Sequence, residues 1–450
     1  MTRQQRQDAR PAVVLEGVQR HSRMVDRFAG FALHHVHGVP VLWHRDPRFK
    51  TFRASLSAQR PLDQRTAARA LLPALLAHGT QQNPDRPALA RAMERLYGGM
   101  VAPAIGRIGE SSLFRLVAEA VAGEFLPGRP DQLGAALQLL ADYAVRPRLD
   151  GDGGFPAEIF AREHAQALAN AAAVFDDKTA WARQQALLHG CPGEPYAIPE
   201  HGGVAAIAEV GRRDPELARD DCLRHGRLYC VAMGALPDDL PSRLEPLLGV
   251  LPLRRTGPLP EVVQPERRAP SRTVEHAELQ QSKQVLLFRL PVPADAAATC
   301  ALHVLASMFG GGPHSRLFQQ VREQRSLAYY ISAGVDVHKG MLVVQTGLDV
   351  AAAPAVEAET LAQLALLQQG EFGSEELRTA TATITGPFAA IDDSLPSRMH
   401  FVAEQWLLGQ DQTPAQRLQS YAAVGKEQVV AAAQSIWHDH SYLLAPEDQP

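Results

Sequence analysis

The feature that most limits what this chain can become is a break near its middle. Residues 254–275, "RRTGPLPEVVQPERRAPSRTVE", are rich in Pro and Arg and show little apolar periodicity. That is the composition of a linker rather than of a packed element. The chain has 450 residues, more than one ordinary hydrophobic core encloses, so two domains are expected on either side of the break. The expected division is a first domain over 1–253, a linker over 254–275 and a second domain over 276–450.

The two sides read alike. In the first, "GFALHHVHGVPVLWHRDPRFKTFRASLSA" has short β-type runs broken by "HGVP", a hairpin followed by a third strand. From Asp63 the apolar residues recur at helical spacing, and the run stops at Gly79, a residue suited to the position just past a helix end. A second helix over 84–96 follows, then strand-like "MVAPAIGRI" and "SSLFRLVAEAV", then helices near 131–145, 156–173 and 176–189. The turn "GCPGEPYAIPEHGG", the strand "GRLYCVAMGAL" and a short helix complete this unit. The second side opens with the strand "KQVLLFRLPV" and a helix ending in a triple glycine, continues through a strand pair and several helices over 353–436, and closes on "SYLLAPE". The shared order predicts an internal duplication of one α+β unit.

Composition excludes several classes. With 46% hydrophobic residues, 21% charged residues and a net charge of -4, the chain has the make-up of a globular protein. Its 45 basic residues are scattered among 49 acidic ones, so no basic face for nucleic acid is expected. Cys191, Cys222, Cys230 and Cys300 lack CxxC pairing and read as ordinary thiols. The N-terminal stretch lacks the apolar core of a signal peptide, Asp8 and Glu16 count against a mitochondrial presequence, and no run of about 18 apolar residues occurs. A cytoplasmic protein with no membrane partner is expected.

Two segments carry chemistry. One is the helix before Gly79-Thr80, together with "REHAQALAN" at 162–170. The other is "FGGGPHSRLFQQVREQRSLAYYISAG" at 309–334. With the element order, these resemble the insulinase/pitrilysin family of zinc metallopeptidases, of the inverzincin type, over nearly the whole chain. The matching residues of the second segment are Gly310, Gly311, Gly312, Ser315, Arg316, Leu317, Phe318, Arg322, Leu327, Ala328 and Tyr329. The resemblance implies two homologous α/β-sandwich domains, each an antiparallel-rich sheet packed with helices, forming half of a clam-shell chamber.

In that family the first-domain helix carries HxxEH five residues before a Gly-Thr: two His one turn apart hold zinc, and the Glu activates water. Counting back from Gly79, those positions are Ala70, Pro73 and Ala74. Alanine has no lone pair to give a metal, and proline takes no proton from a bound water. Pro73 also lacks the backbone N–H that a helix interior uses, which is expected to kink the helix. The third ligand position, seven residues after Glu163, falls on Asn170, whose amide oxygen is a poor zinc ligand. No metal and no cofactor are expected on this chain. His35 with His37, and His438 with His440, form pairs without a third ligand in view, and His78 fits a contact with the helix C-terminal dipole.

By the same resemblance, Arg322 would bind substrate carbonyls and Tyr329 would donate a hydrogen bond to the oxyanion of a tetrahedral intermediate. The plain alternative is a solvated Arg322 and a core Tyr329 at the start of a strand. The triple glycine follows a helix and no Lys-Ser/Thr follows it, so a flexible turn near substrate fits better than a phosphate loop. In some relatives two chains pair, one supplying zinc and the other the Arg/Tyr segment. This chain has the second pattern: inactive when isolated, it is expected to form a heterodimer with an HxxEH-bearing homologue that carries the zinc and to act on unfolded peptide substrates. The alternative is a pseudo-peptidase scaffold or peptide-binding protein. No GxSxG elbow supports an independent hydrolase.

Overall fold

The computed structural model describes residues 26–252 and 260–447. The expectations about the N-terminal stretch, and about the linker over 254–259, lie outside the described residues. The first half contains strands β1 Asp26–Phe28, β2 Phe31–Val36, β3 Val39–Arg45, β4 Thr51–Pro61, β5 Met100–Ile108, β6 Ser111–Val121 and β7 Arg227–Gly234. Its helices are α1 Thr66–Leu76, α2 Arg86–Glu94, α3 Gln132–Val145, α4 Ala157–Ala173, α5 Lys178–Gly190, α6 Val204–Ala208, α7 Asp214–His225 and α8 Leu240–Gly249. The second half contains β8 Ser271–Ala277, β9 Ser282–Arg289, β10 Tyr330–Asp336, β11 Met341–Leu348 and β12 Trp437–Pro446. Its helices are α9 Ala296–Gly310, α10 Ala353–Gln368, α11 Ser374–Phe388, α12 Leu395–Leu408, α13 Pro414–Ala422 and α14 Lys426–Gln434.

Each half builds one mixed sheet. The first has the order β1-β2-β3-β7-β4-β6-β5 and the second β10-β11-β9-β12-β8. All pairings are antiparallel except β3 with β7 and β12 with β8. Written from the parallel pair outward, β3-β7-β4-β6-β5 and β8-β12-β9-β11-β10 follow one topology, with the β1-β2 hairpin added to the first. The duplication anticipated from element order is therefore present strand for strand. Strand β8, the counterpart of β3, occupies part of the stretch expected to be linker. It is an edge strand with mostly exposed side chains, "SRTVEHA", so no apolar run marks it.

One face of each sheet carries helices of its own half. Leu71, Leu72, Leu75 and Leu76 of α1 join the first core with Leu137 and Leu140 of α3. α9 packs into the second core through Leu305, Met308 and Phe309. The other face of each sheet takes a helix from the opposite half. Ala182, Ala186 and Leu187 of α5 pack on Leu287, Val343 and Leu444 of the second sheet. Leu395, Met399 and Val402 of α12 pack on Leu42, Val231 and Met233 of the first. Gly190 ends α5 so close to the second sheet that a Cβ there would lie 2.5 Å from Leu287 Cδ1. This exchange binds the halves through apolar area, the largest favourable term in packing.

The segment Val350–Gln368 is long and apolar enough, by length and composition, to cross a membrane. Here Ala353, Val356, Leu364 and Leu367 of that segment are buried in the second core.

Candidate functional site

α1 and α4 lie against each other, and between them is a cavity of about 180 Å³ lined by Ala70, Asn170, Ala67, Leu71, Ala167, Ala171, His201 and Ile207. The structure thus brings together two positions, 100 apart in sequence, that the resemblance assigns to one metal site. Pro73 and Ala74 lie in the following turn of α1 and are not part of the wall. The helix runs on through Pro73 to Leu76.

The donor set does not fit zinc. Ala70 and Ala74 offer methyl groups, and the Asn170 Oδ1 accepts a hydrogen bond from Gln166 Nε2 at 2.8 Å. His201 accepts from the Gly203 amide through Nδ1 at 3.1 Å, so its Nε2 carries the proton and offers no lone pair. The loop that brings it is packed tightly on α1: at Gly202 (φ +86) a Cβ would lie 2.5 Å from Ala67 Cβ.

Glu163, the acidic residue one motif-length before Asn170, has another use. Its Oε1 is 2.8 Å from His78 Nε2. With that nitrogen donating, Nδ1 accepts from Arg162 at 3.1 Å. Burial lowers the His78 pKa, with Arg86 and Arg162 adding to the effect, so the ring is neutral at pH 7. Burial alone would raise the Glu163 carboxyl, but bonds from His78 and Arg162 outweigh it and hold the group below its ordinary range. His78 therefore fastens the end of α1 to α4, a specific partner in place of the general dipole contact expected from its position.

The second segment is built on the end of α9. Gly310 is buried against β10, where a Cβ would lie 2.5 Å from Ala333 Cβ, so this glycine serves helix–strand packing. Gly311 ends the helix, and Gly312 (φ +147) turns the chain in a conformation that favours glycine. The Ser315 hydroxyl donates to the Gly312 carbonyl at 2.6 Å and locks that turn. Leu317 and Val321 then anchor a π-helical turn, Phe318–Gln324, in the second core. π-Turns are rare and cluster at functional positions.

Arg322 projects from that turn. Its guanidinium lies 4.6 Å above the Phe318 ring and 3.7 Å from the Glu323 carboxylate, with 42% of the side chain exposed. Tyr329 pairs its backbone N–H with the Gly347 carbonyl at 2.8 Å and leaves its side chain 52% exposed. The hydroxyl donates to Asp349 Oδ1 at 3.1 Å, and this bond raises the phenol pKa, keeping the proton in place at neutral pH. The core-aromatic alternative for Tyr329 does not hold. β10, which begins at the next residue, is an edge strand of its sheet.

A charged cluster at the junction of the halves was not legible from any motif. Lys339 is fully buried with its Nζ 2.6 Å from both Glu110 Oε1 and Glu194 Oε2. Glu194 also receives Arg289 at 2.7 Å, and Arg289 reaches Asp439 at 2.8 Å. The turn "GCPGEPYAIPEHGG" supplies Glu194, and its Pro and Gly content signals a turn without naming its partners.

Comparison with known proteins agrees with this geometry. The family profile described as "Peptidase M16 inactive domain" matches residues 219–384. The curated "Probable inactive metalloprotease YmfF" of Bacillus subtilis (strain 168) is 25% identical over 399 residues, covering 88% of this chain and 93% of that protein. Among solved structures, a conserved protein from Enterococcus faecalis V583 superposes with a TM-score of 0.84 at 24% identity, covering 92% of this chain and 98% of that one. A peptidase M16 inactive domain from Pseudomonas fluorescens superposes with a TM-score of 0.75 at 18% identity, covering 93% and 100%. With the duplicated sheet topology and an α1–α4 cavity that offers no zinc donors, the chain is similar to inactive M16 peptidase-like proteins, in its fold throughout and in the matched profile over residues 219–384.

Proposed function

We propose that this chain is the non-catalytic subunit of a heterodimeric zinc metalloendopeptidase acting on unfolded peptides in the cytoplasm. It presents Arg322 and Tyr329 opposite the zinc of an HxxEH-bearing homologue. The observation that carries this reading is the exposure of both side chains on a segment whose neighbours are anchored in the core. A side chain kept for packing would be buried, and neither is. The zinc of the partner would polarise the scissile carbonyl. A protonated phenol aimed at the developing oxyanion stabilises the transition state more than the ground state. A guanidinium offers fixed donors to the carbonyls of an extended peptide. The edge of β10 beside Tyr329, without a strand partner among the described residues, is suited to pairing with such a peptide.

A second reading, a peptide-binding scaffold without a part in cleavage, is favoured by one detail. The Tyr329 hydroxyl and the Arg322 guanidinium already have partners in Asp349 and Phe318. Co-expression with the HxxEH-bearing homologue separates the two. Cleavage of a quenched fluorescent peptide by the complex alone, falling about 100-fold in turnover for Tyr329→Phe, is the expected result. A stable complex whose turnover ignores both Tyr329→Phe and Arg322→Ala would sink the helper role and leave the scaffold.

A further inference from the structure

The face of the first sheet that α12 covers carries a polar row that neither the degenerate site nor the Arg322/Tyr329 segment uses. Tyr229 of β7 stands opposite Ser57 of β4, and Ser57 stands opposite Arg115 of β6. Cross-strand partners share a face, with Cβ atoms about 4.5–5.5 Å apart, so these three side chains stand side by side. Their strand neighbours Leu56, Phe114 and Cys230 point the other way, into the first core. Arg115 Nη2 lies over Gly106 of β5, 3.5 Å from where a Cβ would stand, and no side chain fills that space. Between this row and α12 is a pocket of about 180 Å³, with Met399, His400 and Glu404 of α12 on its far wall. It shares Arg107, Ile108, His400 and Glu404 with a larger cavity of about 500 Å³ at the junction of the halves, which provides a way in.

The donors of this row are unspent. Tyr229 is 1% exposed, and although Ser57 lies beside its hydroxyl, that hydroxyl makes no well-formed hydrogen bond among the described residues. Arg115 Nε is buried and likewise without a partner among them. Glu119, on the same face of β6, pairs with Arg53, which leaves Arg115 without a carboxylate in contact among the described residues. Arg107 donates to the carbonyls of Gly109, Ile198 and Tyr196, and these leave its charge in place. Of the groups on the wall, Glu404 alone is acidic, against Arg53, Arg107 and Arg115. The pocket is therefore positive even after Glu119 is set against Arg53. Burial raises the Tyr229 phenol pKa, so the hydroxyl keeps its proton and can donate it, while the Arg115 charge is near enough to pull the other way. Buried donors without acceptors are costly, and a guanidinium beside a phenol matches two oxygens of one oxyanion.

We propose that this pocket binds a small oxyanion, a phosphate or a carboxylate group, through the Arg115 guanidinium and the Tyr229 hydroxyl, with α12 closing over it. The volume is several times the share of one water molecule, about 30 Å³, which leaves room for such a group. Water alone satisfies the orphaned donors but not the positive wall; an oxyanion satisfies both. The floor belongs to the first half and the lid to the second, so occupancy holds α12 on the first sheet. Glu404 on the lid opposes the anion and weakens its binding. The site needs no partner subunit and stands apart from the role proposed for Arg322 and Tyr329.

The test uses the full chain, dialysed free of phosphate and carboxylate buffers and titrated by calorimetry with inorganic phosphate and, separately, with succinate. Saturable binding of one ion per chain, with a rise in unfolding temperature, is expected from at least one of them. The tighter of the two tells whether the tetrahedral or the planar group is the one accommodated. Arg115→Gln and Tyr229→Phe should each lower the affinity about tenfold, and Glu404→Gln should raise it by removing the opposing charge. Arg378→Gln, which removes an exposed pair with Glu375 on α11, should leave it unchanged. Binding of neither ion overturns the proposal, as does binding that Arg115→Gln leaves unaltered. Should Arg115→Gln fail to fold, Tyr229→Phe and Glu404→Gln decide: opposite shifts in affinity uphold the site, and no shift in either overturns it.

Discussion

Replacing Lys339 by methionine tests whether the two halves are held by a balanced buried cluster. The side chain is fully buried, with its Nζ 2.6 Å from a carboxylate oxygen of Glu110 and of Glu194 and 2.6 Å from the Val263 carbonyl. At that separation and an effective dielectric of about 20, each pair is worth about 6 kcal/mol in Coulomb energy. Stripping water from a buried ammonium costs several kcal/mol and offsets much of this. The net is decided by what stays behind. Methionine matches the length of lysine, so little cavity opens, but Glu110 and Glu194 remain without their shared cation. Glu194 keeps Arg289, whereas among the described residues Glu110 keeps for its carboxylate only the Val263 amide at 3.0 Å. Losing one partner of such a buried pair costs about 3–5 kcal/mol. Urea unfolding followed by Trp181, which sits on α5 and bonds Glu275 of the other half at 3.0 Å, reads the junction directly. Lys339→Met should lower the unfolding free energy by that amount and the urea midpoint in proportion, and adding Glu110→Gln should restore part of it by removing the stranded charge. A single variant costing under about 1 kcal/mol, the range of an exposed pair, would refute the reasoning. So would a double variant weaker than the single one.

Further outcomes follow from other parts of the structure. Gly190→Val places atoms where even a Cβ would meet Leu287 Cδ1 at 2.5 Å; a loss of about 1–3 kcal/mol is expected, read in the same unfolding assay, and a neutral result would mean that α5 does not seat as described. The His78–Glu163 contact sets a pH dependence. Both folded pKa values are lowered from 6.5 and 4.5 respectively, so both contributions are present at pH 7. As pH falls, the unfolded chain binds protons first. Stability is lost below about 6.5 from His78 and then below about 4.5 from Glu163. Glu163→Gln should remove the lower step in acid titrations of stability, and an unchanged acid limb would contradict the assignment. Finally, Ala70→His, Pro73→Glu, Ala74→His and Asn170→Glu together should create zinc uptake measurable by metal analysis. Ala70 and Asn170 already share one cavity; no uptake would show that α1 and α4 are not positioned as the family's site requires.

Much of this protein was legible before any coordinates. Apolar periodicity placed α1, α3, α4 and α5, because a helix with one buried face repeats its apolar residues whatever that face meets. The family resemblance puts Ala70, Pro73 and Ala74 where zinc ligands and a base would stand, and their chemistry adds that side chains without donors hold no metal in any fold. Tertiary structure decided the rest. Periodicity says that a face is buried and not against what, so nothing in α5 or α12 revealed that each covers the sheet of the other half. β8 escaped notice because an edge strand with exposed side chains has no apolar alternation to show. The cluster of Lys339, Glu194, Glu110 and Arg289 escaped for a different reason. Charged residues far apart in sequence carry no mark of their partners, and a surface lysine reads the same as a buried one. Only the packing of the two halves, which removes water from Lys339 and brings two carboxylates to it, turns those ordinary residues into a lock.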